Sequence, residues 1–431
     1  MNKNNHISKQ TDVAIKTTVD RYWLDLWNKV NQRKSAKWSF RIIYILLFIG
    51  IFSDFIANER PLICKVENKI YYPIFHEYLE KTGIFNPYQM LQKKDWNELD
   101  YEFYLNPPIP YSSNSFDLKN VYKGPFSTQE IKSTRYRHWL GTSDLGKDVL
   151  AGLIHGTRIA LLVGILSMLI AGIIGIFFGV LAGYFGDKLF KISRIRVVFN
   201  IIGLFLFIIY GFLFRKLAFL QGDFILEIIK SLAIGIFIMA FMNLMAFIIE
   251  KNQFFRKKVS LPMDLLLSRI IEIINSIPLI LILFASLSVI KHPSILNVIL
   301  IIGFFRWTGI SRYLRAELLK IRNLEYIISA KAMGLKHFRI IMKHALPNAI
   351  SPILIIIAFG ISGAILVEAT LSFLGIGVGV DDMTWGQLLS FARKKPDAWW
   401  LAVFPGIAIF ITVTVFNLIG DALSDVLRFD S

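Results

Sequence analysis

Long apolar runs closed by clusters of Lys and Arg recur along most of this chain. They cover residues 42–57, 161–185, 197–214, 228–249, 271–290, 295–305, 350–375 and 399–420, and a helix needs roughly 20 apolar residues to cross a bilayer. The run at 42–57 is short and has to draw on flanking aromatics; the run at 295–305 has to borrow residues from Trp307 onward. Pro278 predicts a kink within 271–290, which a span tolerates when its neighbours satisfy the freed carbonyl. In the second run Ala171, Gly175, Gly179 and Gly183 recur every four residues. Such a stripe predicts a helix-packing face that admits another helix to backbone contact. The pattern as a whole predicts an all-α polytopic membrane protein with about eight transmembrane helices.

One block breaks the alternation. Residues 307–348 are charged and helix-patterned, yet lie between apolar runs. Tyr326, Ala330 and Met333 fall at i, i+4 and i+7, and Phe338, Ile341, Met342 and Ala345 repeat the pattern after Gly334, so two short amphipathic helices are expected to meet at a glycine. Gly334 is expected to take the left-handed backbone at that turn, and Leu346-Pro347-Asn348 to close the second helix. A helix-turn-helix held between two spans suits a rigid knob presented to a soluble partner.

Composition narrows the class. With 55% hydrophobic and 18% charged residues, the chain is too apolar for a soluble protein, where about 25% are charged. The 48 Lys and Arg against 31 Asp and Glu, net +17, could suggest nucleic acid, but the cations sit beside the apolar runs, as expected of cytoplasmic loops. Residues 1–40 are therefore read as a cytoplasmic segment without the cleavage pattern of a signal peptide, 41–57 as the first transmembrane helix, and 58–140, where charges nearly balance, as extracytoplasmic. Counting crossings places 307–348 and 421–431 inside and 376–398 outside. The single cysteine, Cys64, excludes an internal disulfide.

Candidate chemistry is sparse. Gly141-Thr-Ser-Asp-Leu-Gly146-Lys147-Asp148 imitates a phosphate loop, but Asp148 lacks the hydroxyl that holds magnesium and no strand precedes it. The seven His residues show no metal spacing, and no nucleophile and base pair up. Catalytic, cofactor and metal sites are all expected to be absent. Glu368 is the one acid well inside an apolar run: it either faces a transport path or snorkels to the interface.

The 307–348 block resembles the inner-membrane permease subunits of bacterial ABC importers, in particular the dipeptide/oligopeptide class. Their coupling motif reads Glu-Ala-Ala, three residues, Gly, nine residues, a hydrophobic residue or His, one residue, Leu-Pro. Ser329 and Ala330 stand at the two alanines, Gly334 at the glycine, His344 after the spacing, and Leu346-Pro347 at the end. Ile328 stands in place of the Glu, which the peptide class often lacks. The resemblance continues through 367–377, Thr384-Trp385-Gly386, 404–408 and 141–150, covering most of 141–186 and 261–429.

The resemblance implies a six-helix permease core that starts in 141–186 and resumes over 259–431. Its coupling helices, 324–347, would engage an ATPase through Tyr326, Ser329, Ala330, Gly334, His344, Leu346, Pro347 and Asn348. Residues 187–258 depart from the pattern as an inserted transmembrane pair, expected to be peripheral. The implied partners are a second homologous permease, two ATP-binding subunits that alone use ATP, and an external binding protein delivering peptide, all at the bacterial plasma (inner) membrane. The alternatives are an ion-gradient-driven secondary transporter, which would show several midplane acids, or an ABC importer for nickel or another small solute. An anchoring or sensory protein would need a recognisable soluble output module, and among the loops only 58–140 is long enough for one.

Overall fold

The computed structural model describes residues 24–66, 68–75, 102–186, 191–222, 224–251, 258–260, 262–290, 294–376 and 383–429. The cytoplasmic reading of 1–23, the mixed-charge stretch 76–101 and Gly377 lie outside them. Among the described residues, six helices are long and apolar enough to cross a membrane: Val149–Phe185, Arg194–Leu213, Leu226–Ile249, Ile295–Ile321, Ser351–Phe373 and Trp400–Leu427. A seventh candidate is a broken pair, Met263–Asn275 and Leu279–Ser288, bent by 73°. The remaining expected span lies in α1 (Lys34–Ile51), whose first half carries Lys34, Lys37 and Arg41.

Two expected spans are redrawn. The break at Ser276–Pro278 is far sharper than a kink, because Pro278 caps the second segment and its ring prevents a helix from continuing through it. The run at 295–305 belongs to a 27-residue helix that continues to Ile321. Residues 307–321 are thus span helix and not part of the knob. Their apolar positions Trp307, Ile310, Leu314 and Leu318 are buried at helical spacing.

The chain divides into two compact units. The first comprises Met1–Ile170, Ser294–Gly303 and Leu354–Ser431. Here residues 24–32 form a helix whose Leu26 and Val30 join Ala36 of α1 and Ala422 and Val426 near the C-terminus in one apolar cluster. The described part of 58–140 carries a small sheet, in which β1 (Ile63–Val66) pairs antiparallel with β2 (Lys69–Tyr71) on one side and with β3 (Phe103–Leu105) on the other. Burial in this sheet pushes the Cys64 thiol up to about 11.

The phosphate-loop look-alike in this unit is a buried structural corner. Gly146 has φ +70°, and a Cβ there would lie 1.9 Å from the Asp117 carbonyl oxygen. His138 bridges Asp148, 2.8 Å from Nδ1, and Asp117, 3.3 Å from Nε2. Burial alone would lower the His138 pKa, but the bonds to Asp148 and Asp117 outweigh it and hold the imidazole above its usual value. Asp148 also accepts from the Ala151 N–H at 2.7 Å, capping α2 (Val149–Val180).

The second unit comprises Ala171–Pro293 and Phe304–Ile353. A two-stranded ladder, β4 (Lys191–Ser193) with β5 (Lys258–Ser260), closes the neck of the insertion. From it rise α3 (Arg194–Ile208), which ends in a π turn Ile209–Leu213, and α4 (Phe224–Ile249). After β5 come α5 (Met263–Asn275), α6 (Leu279–Val289) and α7 (Ile295–Ile321). Asp264 of α5 forms a two-pronged ion pair with Arg315 of α7, and Asn275 accepts from Thr308 at 3.0 Å.

Candidate functional site

The block after α7 folds as two helices joined by a glycine turn. α8 (Glu325–Ala332) ends at Met333, and Gly334 follows with φ +76°. The Leu335 N–H donates to the Ala330 carbonyl at 3.3 Å and the Gly334 N–H to the Lys331 carbonyl at 3.0 Å. Both bonds of a Schellman turn are therefore present, which satisfies carbonyls that the helix end would otherwise leave bare. No atom lies within 4 Å of where a Gly334 Cβ would be. The glycine is thus required by its backbone angle alone, and not by lack of room.

The second helix, α9, is built of His337–Ile340, a π turn Ile341–Ala345, and Leu346–Ala349. Pro347 does not close it, contrary to the sequence reading. It sits in the first turn of the last segment, just after the π turn. A proline ring clashes with the carbonyl four residues back, and a widened turn ahead of it is one way a helix absorbs that clash.

The expected stripe Tyr326, Ala330, Met333 is split. Ala330 is buried with Ile327, and Ile340, Ile341 and Ala345 are buried in α9. Tyr326, Ile328, Met333, Phe338 and Met342 are exposed, Met333 and Phe338 at 73% and 75%. Side chains three or four apart share a helix face, but which face is covered depends on what lies against it. Ser329 and Asn348 are exposed, and His344, Leu346 and Pro347 half-buried. Asn348 Nδ2 donates to the Tyr326 hydroxyl at 3.3 Å and to the His344 carbonyl at 2.8 Å, bringing three of the expected residues together. Burial raises the Tyr326 phenol above its usual pKa.

The small-residue stripe of α2 lies against α7 within the same unit. Ala171 is buried. A Cβ on Gly175 would stand 2.7 Å from Ile310 Cβ and 3.0 Å from the Trp307 carbonyl oxygen; on Gly179, 2.9 Å from Leu314 Cβ; on Gly183, 2.9 Å from the Arg315 carbonyl oxygen. The glycines meet the α7 backbone at Gly175 and Gly183 and the Leu314 side chain at Gly179.

Glu368 neither snorkels nor opens onto a surface. It is 1% exposed, accepts from Ser372 Oγ at 2.7 Å and has Thr384 as a further side-chain partner. In this chain its carboxylate is enclosed by protein. It sits where α10 (Ser351–Phe373) meets α11 (Trp385–Lys394), at a contact so tight that a Gly386 Cβ would lie 2.2 Å from the Ala369 carbonyl oxygen.

Comparison with known proteins agrees with this geometry. The model of the family "binding-protein-dependent transport system inner membrane component" matches residues 257–429. The peptidoglycan transport system permease protein of Agrobacterium fabrum is 24% identical over 425 residues, 93% of this chain and 91% of that protein. The inner membrane ABC transporter permease protein YejE of Escherichia coli is 24% identical over 93% of this chain and 94% of its own. The dipeptide transport system permease protein of Bacillus subtilis is 27% identical over 67% of this chain and 68% of its own. With its helical membrane core and glycine-turned helix pair, the chain is similar to the inner-membrane permease subunits of ABC importers, by the family model over 257–429 and by these relatives over most of its length.

Proposed function

We propose that this chain forms, with a second permease subunit, the membrane path of an importer for peptides delivered by an external binding protein. ATP is hydrolysed by two separate subunits, and α8 and α9 dock on them. The observation that carries the reading is the exposed apolar surface of Tyr326, Ile328, Met333, Phe338 and Met342 around a turn with both its bonds made. Lys331, Lys336 and Lys343 lie in the same block, as expected of a segment facing the cytoplasm. The peptide assignment is supported by relatives named for dipeptide and peptidoglycan transport.

The mechanism then needs no chemistry in this chain. Closure of the ATP-binding subunits moves the helix pair as a body, and the spans switch the path between outward and inward access. Gly334→Val tests the docking. The left-handed backbone is unfavourable for a residue with a Cβ by about 1–2 kcal/mol, and the open space around Gly334 confines the damage to the angle of the turn. Uptake and co-purification with the ATP-binding subunits are expected to be lost while the protein still accumulates in the membrane, and Lys119→Val is expected to change neither. Normal import by Gly334→Val would remove the support for this reading.

A further inference from the structure

No atom lies within 4 Å of where a Gly334 Cβ would stand, so the glycine itself does not brace the angle between α8 and α9. A brace is present on the other side. Tyr184 is 2% exposed and sits in a π turn, Leu181–Phe185, at the end of α2 just beyond the glycine stripe. Its hydroxyl and His337 Nδ1 share a hydrogen bond of 3.2 Å, and the two rings meet edge to face with centroids 5.9 Å apart. Lys331 Nζ stands over the same tyrosine ring, 5.3 Å from its centroid, within reach of a cation–π attraction. Lys331 is in the last turn of α8 and His337 is the first residue of α9. One buried ring therefore touches both helices, one on each side of the turn.

We propose that Tyr184 is the positioning residue that sets the angle of the coupling helices and carries their displacement into α2. The route is contiguous. Lys331 and His337 bear on Tyr184, and the π turn joins Tyr184 to the stripe. At Gly183 the α2 backbone meets that of α7 so closely that a Cβ would lie 2.9 Å from the Arg315 carbonyl oxygen. Arg322 adds a contact from the far end of α7, its Nη1 lying 3.4 Å from the Gly183 carbonyl. Packed backbones are bistable or rigid and do not deform smoothly, so a push on the helix pair is passed on as movement of the two-helix lever. All of these residues belong to one compact unit. A physical network of this kind carries coupling only if breaking it changes the coupling.

The proposal rests on the docking role given above, and its test separates the two. The whole transporter, co-expressed with its ATP-binding subunits and binding protein, is spin-labelled outside the apolar patch, at Glu325→Cys and Lys343→Cys, in a Cys64→Ser background. A single narrow distance between the two helices is expected, broadened by Tyr184→Ala. In the same variant the ATP-binding subunits stay bound, ATP hydrolysis no longer rises with binding protein loaded with trialanine, and trialanine uptake in proteoliposomes falls about tenfold, within the range of network couplings. Tyr184→Phe keeps the ring against Lys331 and loses only the hydroxyl bond, so its uptake falls about threefold, the size of one hydrogen bond. An unchanged distance distribution with normal ATPase stimulation in Tyr184→Ala overturns the proposal. So does failure of Tyr184→Ala to accumulate when Tyr184→Phe matches wild type in both readouts, because the tyrosine would then serve folding alone. If the wild-type chain never binds ATP-binding subunits, the docking reading fails, and the distance measurement still decides whether Tyr184 braces the helices.

Discussion

Two helix pairs in this chain are joined by opposite means. Where α2 meets α7, glycines bring backbone to backbone, and 56% of each apolar span is buried. In the insertion, α3 and α4 bury only 11% of theirs. They meet through adaptable side chains: Phe207 fills the space left by Gly211 and Gly235, and Met239 and Met242 lie beside Gly203. Polar links finish the contact, Asn243 Nδ2 donating to Asn200 at 2.9 Å and Arg196 pairing with Glu250 at 2.8 Å. Lipid tails are as apolar as leucine, so apolar side chains gain little by leaving them for another helix. Close packing in a membrane has to come from small residues or polar bonds. The glycine pair leaves little room to shift, while the helices of the insertion meet through side chains that can yield.

The largest effect is expected where a side chain is forced between backbones. Gly175→Leu should destabilise the protein by about 3 kcal/mol, the upper end for overpacking, read as a lower thermal midpoint in detergent together with loss of uptake. A variant that melts like wild type would mean the α2 and α7 contact is loose.

A smaller effect is expected from removing the insertion. The ladder pairs Ser193 with Lys258, so a two-residue Asn-Gly turn can replace residues 194–257 and close a hairpin. Membrane levels should drop, but co-purification with the ATP-binding subunits should survive. Loss of that co-purification at normal membrane levels would show that the insertion contributes to the core after all.

The same glycine-to-leucine change inside the insertion, Gly203→Leu, should cost under about 1 kcal/mol, because it meets the flexible side chains of Met239 and Met242. Equal damage at Gly203 and Gly175 would erase the contrast. The smallest change is expected from Asn243→Leu, about 0.6 kcal/mol for one hydrogen bond between membrane helices, with Asn200→Leu added on top nearly neutral; thermal midpoints of the single and double variants decide it.

What the sequence determined by itself was local. Apolar length located the spans, four-residue spacing marked Gly175, Gly179 and Gly183 as a stripe, and the glycine after an amphipathic stretch placed the turn at Gly334. Each of these follows from the geometry of a single helix, which the sequence carries in full. Only the tertiary structure decided the rest. The span at 295–305 was expected to borrow residues from Trp307 onward, but that it runs to Ile321, with Ile310, Leu314 and Leu318 buried, was decided by α2 lying against it. Pro347 read as a stop until the π turn before it made room. Glu368 could be read as facing a path or as snorkelling, and only the fold shows Ser372 and α11 packed around it; the three short strands described in 58–140 lacked any long alternating pattern. Tyr184 carried no signal at all, since its role depends on Lys331 and His337, about 150 residues away along the chain. A face becomes a core, and a side chain a brace, only when a distant segment folds against it, and no local preference encodes which segment that will be.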